Sequence, residues 1–209
     1  MNVRATSRVD LHCHSTASQL SKLGVQRALG LPECATPPEE VYELAKRRGM
    51  DFVTITDHDT IAGVQQIADR PDVFVSEELT AWFKGEPQAV HVLCYGISAD
   101  DHDWLQAHAD DVEQVAEYLH DREIACALAH PFYAVEAPLT PRHRRRLAQL
   151  FGVWETRNGS RARELNAPAG RPRAASRAAP PSGRTARWPW PCARWAAARA
   201  KRPSTPARC

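Results

Sequence analysis

Hydrophobic and polar positions along the chain predict an alternation of strands and helices. Val9 to His12 reads as a short strand, and residues 15–36 as a long irregular connection. A helix is predicted from Pro38. Glu39 and Glu40 fall in its first turn, Lys46, Arg47 and Arg48 in its last, and Gly49 follows as a stop. Proline at the start, acids at the positive end of the helix dipole and bases at the negative end all agree. Val41, Leu44 and Ala45 supply its apolar stripe. The run from Asp51 to Thr56 reads as a buried strand leading into Asp57-His58-Asp59-Thr60, with a helix over 61–68. Val73 to Leu79 and Ala89 to Tyr95 read as strands. Trp104, Leu105, His108, Val112, Val115, Ala116 and Leu119 recur at helical spacing, which predicts one amphipathic helix over 103–120. Ile124 to Ala129 is a predicted strand, 141–150 a basic helix, and Gly152 to Glu155 a last strand. This alternation predicts an α/β fold with parallel strands. In such folds reactive side chains gather at the C-terminal ends of strands.

Composition allows a packed core: the 209 residues are 43% hydrophobic and 25% charged. No run approaches the ~18 apolar residues of a membrane span, and the N-terminus lacks an apolar signal core. Six cysteines without a CxxC pair point to reduced thiols in a cytoplasm rather than a disulfide framework. Cys13, Cys94 and Cys126 fall on predicted strands and read as buried small apolar residues. The net charge of +2 averages two unlike pieces. Residues 167–209 hold nine Arg and one Lys with no Asp or Glu, whereas residues 1–166 hold 17 Lys and Arg against 25 Asp and Glu. The last segment has 13 Ala, 8 Pro and 3 Trp but no Val, Ile, Leu, Met, Phe or Tyr, so it lacks the apolar surface that would offset its ordering entropy. It is expected to be a disordered basic tail. Two origins stay open: a basic, Trp-containing arm for nucleic acid, or an out-of-frame terminus of the kind GC-rich DNA encodes, beginning just after Glu164-Leu165-Asn166.

Candidate chemistry lies at successive strand ends. His12 and His14 are two apart on a predicted strand and so share a face with Asp10. His58 follows the next strand, with Asp57 before it. Glu78 lies near the end of the 73–79 strand, His91 in the 89–95 strand, and His130 just after the 124–129 strand, before Pro131. Imidazoles and carboxylates converging on one sheet edge suit Zn, Mn or Fe. Taken singly, each has a plain structural explanation. Asp59 or Thr60, for example, would serve as a helix N-cap. Their order along the chain is what points to one site. His102, His108, His120 and His143 lie in or beside helices and read as structural.

In Asp10-Leu11-His12-Cys13-His14-Ser15, Ile55-Thr56-Asp57-His58-Asp59-Thr60, Ser76-Glu77-Glu78-Leu79-Thr80, Val90-His91-Val92-Leu93-Cys94-Tyr95-Gly96 and Ala129-His130-Pro131, the chain resembles the PHP (polymerase and histidinol phosphatase) superfamily. The resemblance covers about residues 8–166. Pro32-Glu33-Cys34 and the run from Arg48 to His58 look closest to PHP phosphoesterases found beside or fused to glycosyltransferases. The resemblance implies a distorted (β/α)7 barrel, here incomplete, with two or three divalent ions (Mn, Zn or Fe) at its mouth. It implies His12, His14 and Glu78 on one ion, Glu78, His91 and His130 on a second, and His58 on a third. Glu78 is chosen over Glu77 because the family pattern places the acid two residues before Ser or Thr, which Thr80 fits. Asp57 would orient an imidazole, and Arg157 or Arg161 would neutralise a phosphate oxygen.

The sequence departs from the family in two places. Gln19 stands where many members carry an acid or His. The late Asp-x-His motif has no counterpart, since no Asp follows Asp121 and no His follows His143. The expected function is metal-dependent hydrolysis of a small phosphate ester, impaired by that loss. The alternative is a non-catalytic metal-binding module with a basic nucleic-acid-binding arm, although the acidic charge of residues 1–166 repels a phosphate backbone. No membrane partner is expected.

Overall fold

The computed structural model describes residues 7–18 and 34–158. The chain divides into two units, Met1–Ala169 and Gly170–Cys209, and the described residues lie in the first. Helix α1 spans Pro38–Arg47, opening on its proline with Glu39 and Glu40 in the first turn. A short α2, Ala62–Gln65, follows the Asp57-His58-Asp59 loop. Strands β1 (Ser76–Trp82) and β2 (Ala89–Tyr95) come next. Helices α3 (Ala99–Ala107) and α4 (Val112–Asp121) lead to β3 (Ala125–Leu128), and α5 covers Pro141–Leu150.

The three strands form one sheet in the order β1-β2-β3, antiparallel throughout. This corrects the parallel arrangement expected from the alternation. The physical reason lies in the connection from Trp82 to Ala89. Phe83 to Gln88 is a hairpin loop, too short for the crossover that parallel neighbours need. It turns at Gly85, whose φ of +72° is readily adopted only without a Cβ. Parallel pairing survives as three single bridges, Val53 to Val73, His58 to Glu78 and Leu128 to Trp154. The segments expected as strands at 9–12, 51–56 and 152–155 therefore reduce to extended chain with isolated contacts. Residues 8–13 still run beside 51–56: Arg8 O accepts from Asp51 N (2.8 Å), and Cys13 O from Thr56 N (2.8 Å). The described strands do not close a barrel.

The helix expected over 103–120 is broken. Asp111 caps α4, its Oδ1 accepting from Glu113 N at 3.0 Å. The break frees Ala109 O to accept from Trp82 N at 2.8 Å, tying the gap between the helices to the end of β1. Ser98 caps α3 through a capping box with Asp101.

The register sorts the sheet into two faces. Opposed residues share a face, so Leu79, Val90, Val92, Cys94 and Leu128 point one way. They join Ile55, Leu105, Val115, Leu119, Leu147 and Phe151 in the main core. Glu78, Thr80, His91, Leu93 and Ala127 point the other way, where Leu93, Ala127 and Ala129 form a small separate cluster. Cys94 is fully buried, and Cys13 and Cys126 are partly so. Among the described residues no helix is long and apolar enough to cross a membrane.

Candidate metal centre

Glu78 lies at the centre of the second face, with no exposed surface. Its Oε2 faces His12 Nε2 at 3.0 Å, His14 Nε2 at 3.1 Å and His58 Nδ1 at 3.6 Å. Its Oε1 faces His91 Nδ1 and His130 Nε2, each at 2.9 Å. The five imidazoles expected as metal ligands thus meet at the carboxylate of the sixth expected ligand, Glu78. Among the described residues, two sets of ligand atoms each lie within 4.8 Å of one another: His12, Glu78 and His130, and His14, His58 and Glu78. This grouping differs from the pairing that the family resemblance implies.

Backbone contacts explain the convergence. The parallel bridge between His58 and Glu78, with Glu78 N donating to Asp57 O (3.1 Å) and Asp59 N to Glu78 O (3.0 Å), sets His58 beside Glu78. His91 lies one alternate position from Glu78's cross-strand partner, Leu93. Ala129 N donates to His91 O at 2.9 Å and delivers His130 from the end of β3.

Two carboxylates flank His58, and each makes the same two-point clamp. Asp57 accepts from Ser15 N (2.6 Å) and Ser15 Oγ (2.7 Å). Asp59 accepts from Thr80 N (2.6 Å) and Thr80 Oγ1 (2.8 Å). Ser15 follows His14, and Thr80 lies two residues after Glu78, so the clamps staple both ligand-bearing segments to the His58 loop. Both oxygens of Asp57, expected to orient an imidazole, are thus engaged by Ser15, next in sequence to His14. The clamp also requires Gly63, where a Cβ would stand 2.0 Å from Asp57 Oδ2 and 2.5 Å from Ser15 Oγ. Asp59 and His130 are held at positive φ, 52° and 25°. Such strain costs of order 1–3 kcal/mol and persists only where surroundings over-determine it.

The donor set fits a cation. A neutral imidazole has one N–H and one lone pair. His12 Nδ1 lies 3.0 Å from Glu155 Oε1, so donating there turns the Nε2 lone pair toward Glu78 and toward His14 Nε2, 3.3 Å away. Acceptors facing acceptors need a positive charge between them. In the metal-free chain a proton can supply it. Burial pushes His12 down, but hydrogen bonds to Glu155 and Glu78 outweigh this and raise its pKa to about 10. Burial likewise pushes Glu78 up, yet the charge of His91 and the bonds from His12, His130 and His14 hold it well below the usual range. Burial lowers His91. His91 Nδ1 is off the hydrogen-bond direction to Glu78, and buried His130 Nδ1 has no hydrogen-bond partner.

Glu155 is the site residue that sequence reasoning missed. Arg157 is exposed, and no described contact brings it to Glu78. Gln19, Arg161 and the tail lie outside the described residues. His102 donates from Nδ1 to Glu77, behind the sheet, at 2.7 Å. His108 stacks on Trp104, and His143 lies 2.8 Å from Glu86 Oε2.

No family model matches the chain. An uncharacterized protein of Methanocaldococcus jannaschii is 36% identical over 56 residues, which span 27% of this chain and 31% of that protein. A solved structure from Bifidobacterium adolescentis, provisionally named a metal-dependent phosphoesterase, superposes with a TM-score of 0.50 at 14% identity, over 77% of this chain and 81% of its own. The likeness is one of fold. An amidohydrolase from Chromobacterium violaceum, solved with sulfate and no metal, covers 56% of this chain and 37% of its own with a TM-score of 0.35 at 20% identity, too loose to carry an argument.

Proposed function

We propose that this chain is a metal-dependent phosphoesterase of the PHP type, acting on a small phosphorylated substrate in a reducing cytoplasm. The observation that carries the reading is the convergence of five imidazoles on the buried carboxylate of Glu78. The likeness in fold to a protein named a phosphoesterase supports it.

His12, His14, His58, Glu78, His91 and His130 would hold two or three divalent ions, with Glu78 bridging. Imidazole-rich donors suit Zn or Fe better than Mn, which favours carboxylate and water. Bound ions would lower the pKa of water to ~7 and stabilise the oxygens of an in-line displacement. The chain's own residues hold that arrangement. The imidazoles around Glu78 favour its ionised form. Burial favours neutral His91, the form with a free lone pair. Asp57 and Asp59 fix the loops. Arg157 would meet a phosphate oxygen from the solvent side with its planar fork of donors.

Within the same reading, residues 8–166 are the phosphoesterase unit, closest to PHP proteins associated with glycosyltransferases, and residues 167–209 are a tail outside it.

Full-length protein loaded with Zn(II), Fe(II) or Mn(II) and given p-nitrophenyl phosphate tests the proposal. Metal-dependent phosphate release, lost together with bound metal in a His91→Ala/His130→Ala variant, is the expected result. Unchanged metal stoichiometry in that variant would overturn the site assignment. Metal binding without phosphate release, combined with salt-dependent DNA binding that vanishes on deleting 167–209, would favour the non-catalytic module.

A further inference from the structure

We propose that Glu155 is a positioning residue of the metal centre, one carboxylate that fixes His12 through its ring and His130 through its backbone. The inference deepens the metal-centre reading above and rests on it for the nature of the ion.

Glu155 reaches the site because its segment is docked against β3. Leu128 N donates to Val153 O at 3.0 Å, and Glu155 N donates to Leu128 O at 2.9 Å. Trp154 Nε1 holds the same segment by donating to Phe151 O at 2.9 Å. Residue 155 is thereby set beside the end of β3, where His130 leaves the sheet. The two carboxylate oxygens then divide their work. Oε1 lies 3.0 Å from His12 Nδ1, and Oε2 accepts from His130 N at 2.9 Å. Asn158 Nδ2 donates to both, at 3.4 and 3.3 Å.

Each bond has a consequence for the site. When Nδ1–H of His12 donates to Glu155, the ring is locked in the tautomer that presents the Nε2 lone pair to Glu78 and its neighbours. A carboxylate behind a ligand imidazole also makes that imidazole a stronger donor. His130 sits at a φ of 25°, a conformation that needs an outside hold. The bond from its amide to Glu155 supplies one, and it aims Nε2 at Glu78 Oε1. The two imidazoles held this way belong to one of the groups able to share an ion, His12, Glu78 and His130.

The carboxylate form matters because the two N–H donors approach different oxygens, His12 at Oε1 and His130 at Oε2. A glutamine of the same shape offers one oxygen and one amide nitrogen, so it can satisfy His12 or His130 but not both.

The test measures Zn(II) affinity of the full-length protein by competition with a chromophoric chelator, alongside the hydrogen-bonded Nδ1–H proton of His12 by NMR of the Zn-loaded chain. Glu155→Ala is expected to weaken Zn(II) by ~10–100-fold, the range for residues that orient metal ligands, and to lose the His12 proton signal. Glu155→Gln is expected to fall between that variant and the natural protein. Unchanged affinity in Glu155→Ala, or survival of the His12 signal in it, would overturn the proposal. Where Glu155→Ala does not fold, the isosteric Glu155→Gln decides alone: a several-fold loss supports the proposal and unchanged affinity overturns it. A natural protein that binds no Zn(II), Fe(II) or Mn(II) would instead overturn the metal-centre reading itself.

Discussion

Glu77 and Glu78 are neighbours in β1, both fully buried, and they project from opposite faces of the strand. Burial pushes both carboxyl groups toward the neutral form, and their partners decide the outcome. Glu78 meets five imidazoles, which together overcome burial and hold it ionised. Among the described residues, Glu77 bonds to His102 at 2.7 Å and Gln106 at 2.9 Å, and its Oε1 has no hydrogen-bond partner. Its pKa stays raised by burial. The same residue type at the same depth is thus ringed by imidazoles on one face, as the proposed cation cradle, and makes a structural polar contact on the other.

The largest effect should come from removing the cradle. Glu78→Ala is expected to reduce Zn(II) affinity by more than the ~10–100-fold typical of residues that only orient a ligand. Metal content after dialysis, measured by mass spectrometry, reads this directly. Retention of full metal content would break the contrast between the faces.

Gly63→Ala sharpens it without touching any imidazole. The added methyl group would displace the Asp57–Ser15 clamp beside His14 and His58. Forced insertion of this kind costs typically about 1–3 kcal/mol, visible as a lower urea midpoint, and Zn(II) affinity should fall with it.

The other face answers to acid. Burial pushes Asp101 up, but bonds from Ser98, Tyr118 and Arg122 outweigh it and hold its pKa at about 2. A carboxylate depressed by folding stabilises above its unfolded value near 3.9, and that stability is lost as pH falls toward the folded value. Asp101→Asn should therefore cost about 2 kcal/mol near neutral pH, with the difference closing as urea midpoints are followed down to pH 2, while metal binding is unchanged.

Glu77→Gln carries the smallest effect. Folding raises Glu77, and the bond to Glu77 raises His102. Both contributions are present at low pH and decline as pH rises, first through and above the ordinary glutamate range and then above the ordinary histidine value. The variant should flatten that decline, shift stability by about 1 kcal/mol, and leave metal stoichiometry intact. Loss of metal from this variant would show that the two faces are not independent.

Much of this arrangement was legible along the chain. Pro38, the early acids and the late bases fixed α1, and the bounds of β2 and α5 followed from their patterns. His12, His14, His58, Glu78, His91 and His130 stood out because they recur in order in or beside successive predicted strands, and their side chains lie around one carboxylate. Local pattern could not reveal strand direction, although Lys84-Gly85-Glu86-Pro87 between two strands carried the hairpin signal. Nor did the spacing of Trp104 through Leu119 register the break at 108–111, because the apolar positions on both sides stay in phase. There Asp111 as an N-cap was the missed cue. Glu155 had no cue of its own. A single acid on a short strand becomes part of the site only when the fold carries it to His12, far away in sequence.

That distance along the chain has a thermodynamic consequence. The imidazoles around Glu78 arrive from near residue 12, from 58, from 91 and from 130, so an ion held among them acts as a reversible cross-link across several long loops. Closing such loops costs the unfolded chain entropy that grows only slowly with their length. A ligand that binds the folded chain alone adds about 4 kcal/mol when its free concentration is 1,000 times Kd. The lifetime of this protein against proteases should therefore follow the local supply of metal, and chelation would act on its abundance as well as on its chemistry.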